Sequence, residues 1–181
     1  MSLNESLHYG PDGALYVDEV PAALLAHELG TPAYVYSLRR ILHNYQQIRQ
    51  AFAPFHAHIH YSAKANANLS ILRALVEAGA GIDAVSGGEI ARALRAGASA
   101  EQIVFAGVGK SPEEIRYATA QGIGWFNVEN EAELDWIQEA ASTAGRQQQI
   151  ALRLNPDVTA NTHPYIATVA SSAAFTGPIT L

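Results

Sequence analysis

The sequence predicts an α/β protein built from repeated strand, turn and helix units, and three observations carry that prediction. Short apolar stretches alternate with helical patterns of ten to fifteen residues, the strand starts recur every 20 to 26 residues, and several helices carry their own start and stop signals. Strict alternation of this kind implies parallel strands joined by right-handed crossovers.

In chain order, the segment up to Gly30 reads as a lead-in, with turn signals at Gly10-Pro11-Asp12-Gly13 and an amphipathic stretch from Pro21 to Leu29 closed by Gly30. After Thr31-Pro32, Ala33 to Tyr36 reads as a short strand. A helix then runs from Leu38 to Phe52, with Ile41, Tyr45, Ile48 and Phe52 at helical spacing, and Pro54 stops it. The repeating strands are placed at His58 to Ala63, Ala80 to Val85, Ile103 to Ala106, Gly124 to Val128 and Ile150 to Asn155. Between them the predicted helices are Leu69 to Ala78, Gly88 to Ala96, Pro112 to Gln121 and Glu131 to Ala144. Ser111-Pro112-Glu113-Glu114 puts proline at the first helical position and acids in the first turn, and Gly79 and Gly97 follow last turns.

Periodicity leaves two architectures open. An open doubly wound sheet is complete with five strands, whereas a (β/α)8 barrel needs eight and typically ~250 residues. No Gly-x-Gly-x-x-Gly follows the first strand, so the dinucleotide-binding open sheet lacks its main marker.

Composition narrows the function classes. Hydrophobic residues make up 49% and charged residues 15% of the 181, the profile of a globular domain. A net charge of −6 offers no basic footprint for nucleic acid. No stretch approaches the ~18 apolar residues of a membrane span, and the start lacks a basic segment followed by an apolar run, so no membrane partner and a cytoplasmic location are expected. The absence of Cys excludes a disulfide framework, a thiolate metal site and a Cys nucleophile within these residues. His56, His58 and His60 have the i, i+2 spacing that would share a strand face, but no recognised carboxylate or histidine pattern completes a ligand set, and no metal is expected. Gly107-Val108-Gly109-Lys110 lacks the four residues between glycines of a nucleotide phosphate loop.

The chemistry concentrates in His58-Ile59-His60-Tyr61-Ser62-Ala63-Lys64-Ala65-Asn66. Alternation puts His60, Ser62 and Lys64 on one face and Ile59, Tyr61 and Ala63 on the other. The apolar face suits the helices, so Lys64 is expected to point to a barrel interior at the strand's carboxyl end, the rim where barrel active sites lie. There a desolvated amine titrates readily and can condense with an aldehyde. The plainer reading is a strand-end lysine that reaches to water.

The residues around Lys64 select between these. Tyr61 to Asn66, Gly81-Ile82-Asp83-Ala84-Val85-Ser86-Gly87-Gly88-Glu89, Phe105 to Lys110, Phe126 to Asn130, Leu152 to Asp157 and Thr162 to Ile166 resemble diaminopimelate decarboxylases in order and spacing. The resemblance covers roughly residues 10 to 168. These enzymes belong to the group whose catalytic domain is similar to alanine racemase and the eukaryotic ornithine decarboxylases, and the Ser-Gly-Gly-Glu and Gly-Val-Gly-Lys segments favour the diaminopimelate branch.

The resemblance implies a pyridoxal phosphate cofactor carried as a Schiff base by Lys64, an acidic position beside it at Asp83, and an arginine of its hydrogen-bond network at Arg153. Arg153 also stands out physically, because a charge inside an apolar strand must be paired. Asp83 has the alternative of a helix cap or turn carboxylate, and His163 lies in a family-like segment with no chemical step attached. The implied reaction is decarboxylation of meso-diaminopimelate to L-lysine in lysine biosynthesis, by a homodimer when complete, with a small amino acid as substrate. Ornithine and arginine are the alternative substrates, and a non-catalytic truncated protein or binding module is the alternative class.

The implied fold is a partial pyridoxal-phosphate-binding (β/α)8 barrel of TIM type, alanine-racemase-like, cut off after about five units. Three more units would need on the order of 60 to 70 residues, and 26 remain after Asn155. The layout expected is a lead-in at 1–32, the partial barrel at 33–168 and an atypical tail at 169–181. The resemblance stops after Thr168, and a single-base deletion near that codon is the expected origin of the tail. The 181 residues alone are expected to be a poor enzyme.

Overall fold

The computed structural model describes residues 2–4 and 6–154. Its contacts divide the chain into two units, Met1–Ile59 with Glu77–Gly79, and His60–Val76 with Ala80–Leu181.

In the first unit, alternating Leu, Tyr and Val build a four-stranded antiparallel sheet in the order β1 (Ser2–Asn4), β2 (Leu7–Tyr9), β3 (Leu15–Val17), β4 (Val20–Pro21). The predicted turn joins β2 to β3. Asp12 stabilises it by accepting the Ala14 N–H at 3.1 Å and the Tyr16 hydroxyl at 3.0 Å, and both bonds hold its carboxyl below the ordinary range. Helix α1 (Ala22–Leu29) ends at Gly30, whose N–H reaches the Ala26 carbonyl. Helix α2 (Leu38–Ala51) starts at Ser37, whose hydroxyl accepts the Arg40 N–H at 3.0 Å and donates to Asp18 at 2.9 Å. That donation depresses the Asp18 carboxyl. Two expectations are corrected here. The lead-in contains a sheet, and Ala33 to Tyr36 is in neither strand nor helix, with Tyr34 92% exposed. Strand propensity measures fit to a pleated, half-buried surface, and no described strand pairs with this run.

The second unit is the repeat. Strands β5 (His60–Ser62), β6 (Gly81–Ala84), β7 (Ile103–Phe105), β8 (Trp125–Val128) and β9 (Gln149–Leu152) form one parallel sheet in sequence order, connected by α3 (Leu69–Glu77), α4 (Gly87–Arg95), α5 (Pro112–Gln121) and α6 (Glu131–Thr143). The first four predicted strands are trimmed at their ends. The fifth starts one residue early and stops at Leu152, and Asn155, with everything after it, lies outside the described residues.

Register decides which side chains share a face. Ser62 pairs with Asp83, Asp83 with Val104, Val104 with Trp125, and Asn127 with Ala151. The alternate set, Ile82, Ala84, Ile103, Phe105, Phe126 and Val128, is fully buried and packs with Leu72, Ile90, Ile115, Ala118 and Ile137 from the helices. Burying each Phe contributes about 2–3 kcal/mol. The helices thus cover one face of the sheet, and the strand order never reverses. A doubly wound sheet has helices on both faces and a reversal of order, so the open-sheet alternative falls.

Candidate active site

The carboxyl ends of the five strands lead into the βα turns, and the sequence pins each turn locally. After β6, Ser86 caps α4 by accepting the Glu89 N–H at 3.2 Å, while Glu89 reaches back to the Val85 N–H at 2.8 Å. After β8, Asn130 accepts the Glu133 N–H at 3.1 Å and Glu133 reaches back to the Glu129 N–H at 2.9 Å. The same cap and carboxylate, three residues apart, recur because helix starts leave N–H groups without partners. After β7, Ser111 and Glu114 form a capping box on α5, and Glu114 also accepts the Gly87 N–H at 2.8 Å. This bond, with the Ser111 contacts, holds the Glu114 carboxyl below its ordinary value against some desolvation. The Gly107 backbone, at φ +123, passes so close to β6 that a Cβ would stand 3.0 Å from the Val85 carbonyl, so only glycine fits.

Lys64 lies immediately beyond β5 on a 3₁₀ turn, Ala63–Ala65. The strand alternation that was expected to aim it inward ends at Ser62, and Lys64 is exposed at the carboxyl-terminal rim. Two contacts anchor its segment: the Tyr61 hydroxyl donates to the Asn66 carbonyl at 3.2 Å, and Arg92 Nε donates to the Ala67 carbonyl at 2.7 Å. Asp83 sits on the helix-free face, partly buried, next to Ser62. Among the described residues neither the Lys64 ammonium nor the Asp83 carboxylate has a hydrogen-bond or ion-pair partner, and the buried Ser62 Oγ is unpartnered as well.

Arg153 follows β9 instead of lying inside it, and its side chain is 43% exposed. The pairing that its charge demanded is present: Nη1 meets Glu129 Oε1 at 2.9 Å, and the Arg153 N–H donates to the Val128 carbonyl at 3.0 Å. Strand β5 begins at His60, so His56, in a left-handed position after a 3₁₀ turn, and His58 do not share a strand face with it. His60 instead packs edge to face on Trp125, ring centroids 5.2 Å apart, on the helix-free side. His163 lies outside the described residues.

Sequence reasoning missed the buried group at Lys110. Its Nζ meets Glu133 Oε2 at 3.0 Å and donates to the Gly107 carbonyl at 2.7 Å, with the two side chains 0% and 1% exposed. The signal was present in the Ser/Asn-x-x-Glu spacing after β6, β7 and β8, which identifies the turn carboxylates. It also settles which lysine is available. Lys64 and Lys110 are the only lysines in the sequence, and Lys110 is committed to a buried pair.

A parallel sheet covered by helices on one face, with a lysine and a carboxylate that lack partners among the described residues toward its carboxyl-terminal end, has the chemistry to hold an aldehyde cofactor. The chain belongs to the family described as pyridoxal-dependent decarboxylase, pyridoxal binding domain, whose model matches residues 38–179. Pyridoxal phosphate is therefore its cofactor, and the five units are part of a TIM-type (β/α)8 barrel. The chain is 45% identical over 154 residues to a diaminopimelate decarboxylase of Neisseria meningitidis serogroup B, which covers 85% of this chain and 37% of the relative. Its structure is similar to that of a diaminopimelate decarboxylase from M. jannaschii in complex with L-lysine, with TM-score 0.83, 38% identity, and coverage of 93% of this chain and 40% of that one. A lysine/ornithine decarboxylase from Vibrio vulnificus shares the fold, with TM-score 0.65 and 23% identity over 73% of this chain and 35% of that one. The chain thus spans about two fifths of the length of the relatives that it matches. No helix among the described residues is long and apolar enough to cross a membrane.

Proposed function

We propose that these residues are the cofactor-holding part of a diaminopimelate decarboxylase, which converts meso-diaminopimelate to L-lysine and carbon dioxide in lysine biosynthesis. The observation that carries the reading is the half-buried Asp83 beside the orphaned Ser62 Oγ, without partners among the described residues, with the exposed Lys64 two residues beyond Ser62 at the rim. Buried or half-buried polar groups normally have partners, and an aldehyde cofactor fits the chemistry of this set. Lys64 would hold it covalently, Asp83 would stand beside it, and Arg153, oriented by Glu129, would extend the hydrogen-bond network around it. When bound, pyridoxal phosphate supplies an electron sink for the pair left as the carboxylate departs.

The chain's own residues do the rest. The exposed amine of Lys64 is free to attack a carbonyl and later to deliver or take up a proton at the reacting carbon. The pinned turns hold Asp83 and Arg153 in place without reorganisation during the reaction. The diaminopimelate substrate is supported by the names of the relatives at 38–45% identity, against 23% for the lysine/ornithine enzyme. Ornithine and arginine remain the competing substrates. A cytoplasmic homodimer is the proposed form of the complete protein. Decarboxylation is proposed for the whole protein, and the 181 residues alone are expected to bind the cofactor loosely and release no carbon dioxide.

The test is borohydride reduction of the chain incubated with pyridoxal phosphate, followed by peptide mass spectrometry. The expected adduct is on the peptide containing Lys64 and is lost in Lys64→Ala. An adduct on Lys110 instead, undiminished in Lys64→Ala, overturns the assignment.

A further inference from the structure

Lys110 is buried at a cost that helix capping alone does not require. Glu89 performs the same capping task after β6, accepting the Val85 N–H at 2.8 Å with no ion-pair partner among the described residues. The equivalent Glu133 after β8 has Lys110 added, brought in from the turn after β7. Taking an ammonium and a carboxylate out of water costs several kcal/mol per ion before their attraction offsets it. The extra lysine therefore has a role other than satisfying the helix start.

Its contacts show what it joins. Lys110 holds its own turn through the Gly107 carbonyl at 2.7 Å and crosses to Glu133 Oε2 at 3.0 Å. The same Glu133 oxygen accepts the Glu129 N–H at 2.9 Å. The side chain of Glu129, 12% exposed, then holds the Arg153 guanidinium at 2.9 Å. Glu129 and Arg153 extend the register of Asn127 and Ala151, so both stand at the rim of the helix-free face. The turns after β7 and β8 and the first residue after β9 are linked in this way, from a fully buried ion pair to an arginine that is half in solvent.

We propose that Lys110 is a positioning residue for Arg153. Its buried pair with Glu133 fixes the backbone of Glu129, and with it the carboxylate that sets the guanidinium toward the cofactor. The cofactor end of this statement rests on the proposed function, whereas the Arg153 end rests on geometry alone. Without Lys110, Glu133 is a buried anion lacking its countercharge. It then neutralises or moves, and the Glu129 N–H loses a charge-assisted bond.

The experiment measures guanidinium Nη–H exchange of Arg153 by NMR at low temperature in the full 181-residue chain without cofactor, with the exposed Arg116, paired through Nη2 to Glu113 at 2.9 Å, as internal reference. Lys110→Met is the direct variant. Lys110→Met/Glu133→Gln removes both buried charges and keeps the test valid if the single variant does not fold. In either, Arg153 is expected to exchange about tenfold faster, the effect of losing one charge-assisted bond, while Arg116 is unchanged. A folded double variant with unchanged Arg153 exchange overturns the proposal.

A second arm titrates pyridoxal phosphate by absorbance. Affinity is expected to fall about tenfold in the variant and to fall no further when Arg153→Ala is added, whereas a merely structural role would weaken both backgrounds alike. Loosened Arg153 with unchanged affinity overturns the cofactor end. A wild-type chain that traps no cofactor on Lys64 counts against the proposed function, and the relay is then judged by the exchange rates.

Discussion

The two faces of the parallel sheet are made by the same strands, one residue apart, yet they do different work. On the helix side, Ile82, Ile103, Phe105 and Phe126 are fully buried in an apolar cluster. On the other side the register sets Ser62 beside Asp83, and Lys64 follows at the rim, with neither charge matched by a partner among the described residues. The first face gains free energy from excluded water. The second forgoes it and leaves polar groups available. Since period-two alternation puts both sets on every strand, stability and chemistry can be altered separately, and that separation is open to test.

The largest expected effect is on the packed face. Phe105→Ala removes a fully buried ring in contact with Phe126, centroids 5.7 Å apart, and is expected to cost about 3–5 kcal/mol in urea unfolding. A cost under about 1 kcal/mol would mean that this face is not the core.

The rim lies between the faces and is expected to show an intermediate, pH-dependent effect. Glu114 holds the Gly87 and Ser111 N–H groups, and the first of these bonds is the main cause of its lowered pKa. A folded value below the unfolded one contributes stability that is fully present above the ordinary value of 4.5 and is lost as pH falls through the folded value. Glu114→Gln is therefore expected to be less stable than wild type above the ordinary value of 4.5 and to approach it as the pH falls below that value. A gap that widens on acidification would contradict the bonding described.

The smallest effect on stability is expected at the open face. Among the described residues Asp83 accepts no hydrogen bond, so Asp83→Asn is expected to lower stability by no more than about 0.5 kcal/mol while weakening pyridoxal phosphate binding in the absorbance titration. Lost stability with unchanged cofactor binding would make Asp83 a turn carboxylate and would leave the open face without its acid.

Much of this was legible before any coordinates. The βα repeat, the helix spans to within about a residue, and the placing of Lys64 at a strand's carboxyl end all follow from local periodicity and caps. Ala33 to Tyr36 misled because a strand exists only if another strand accepts its hydrogen bonds. Arg153 was expected to be paired because it was placed inside a strand; it follows β9 and is half in solvent, and its partner, Glu129, is 24 residues away, where nothing local in the sequence identifies it. Lys110 shows the same limit, 23 residues from Glu133.

What the sequence by itself determined is therefore whatever depends on neighbours along the chain: alternation, helix starts, the glycines at tight turns, and the cluster of motifs around Lys64. Tertiary structure alone decided which strand lies beside which, that α3, α4, α5 and α6 cover a single face, and which charges meet across successive turns. The physical reason is range. Backbone propensity and capping act over three or four residues, whereas sheet register brings together residues 20 or more apart whose pairing energy exists only once the strands have docked.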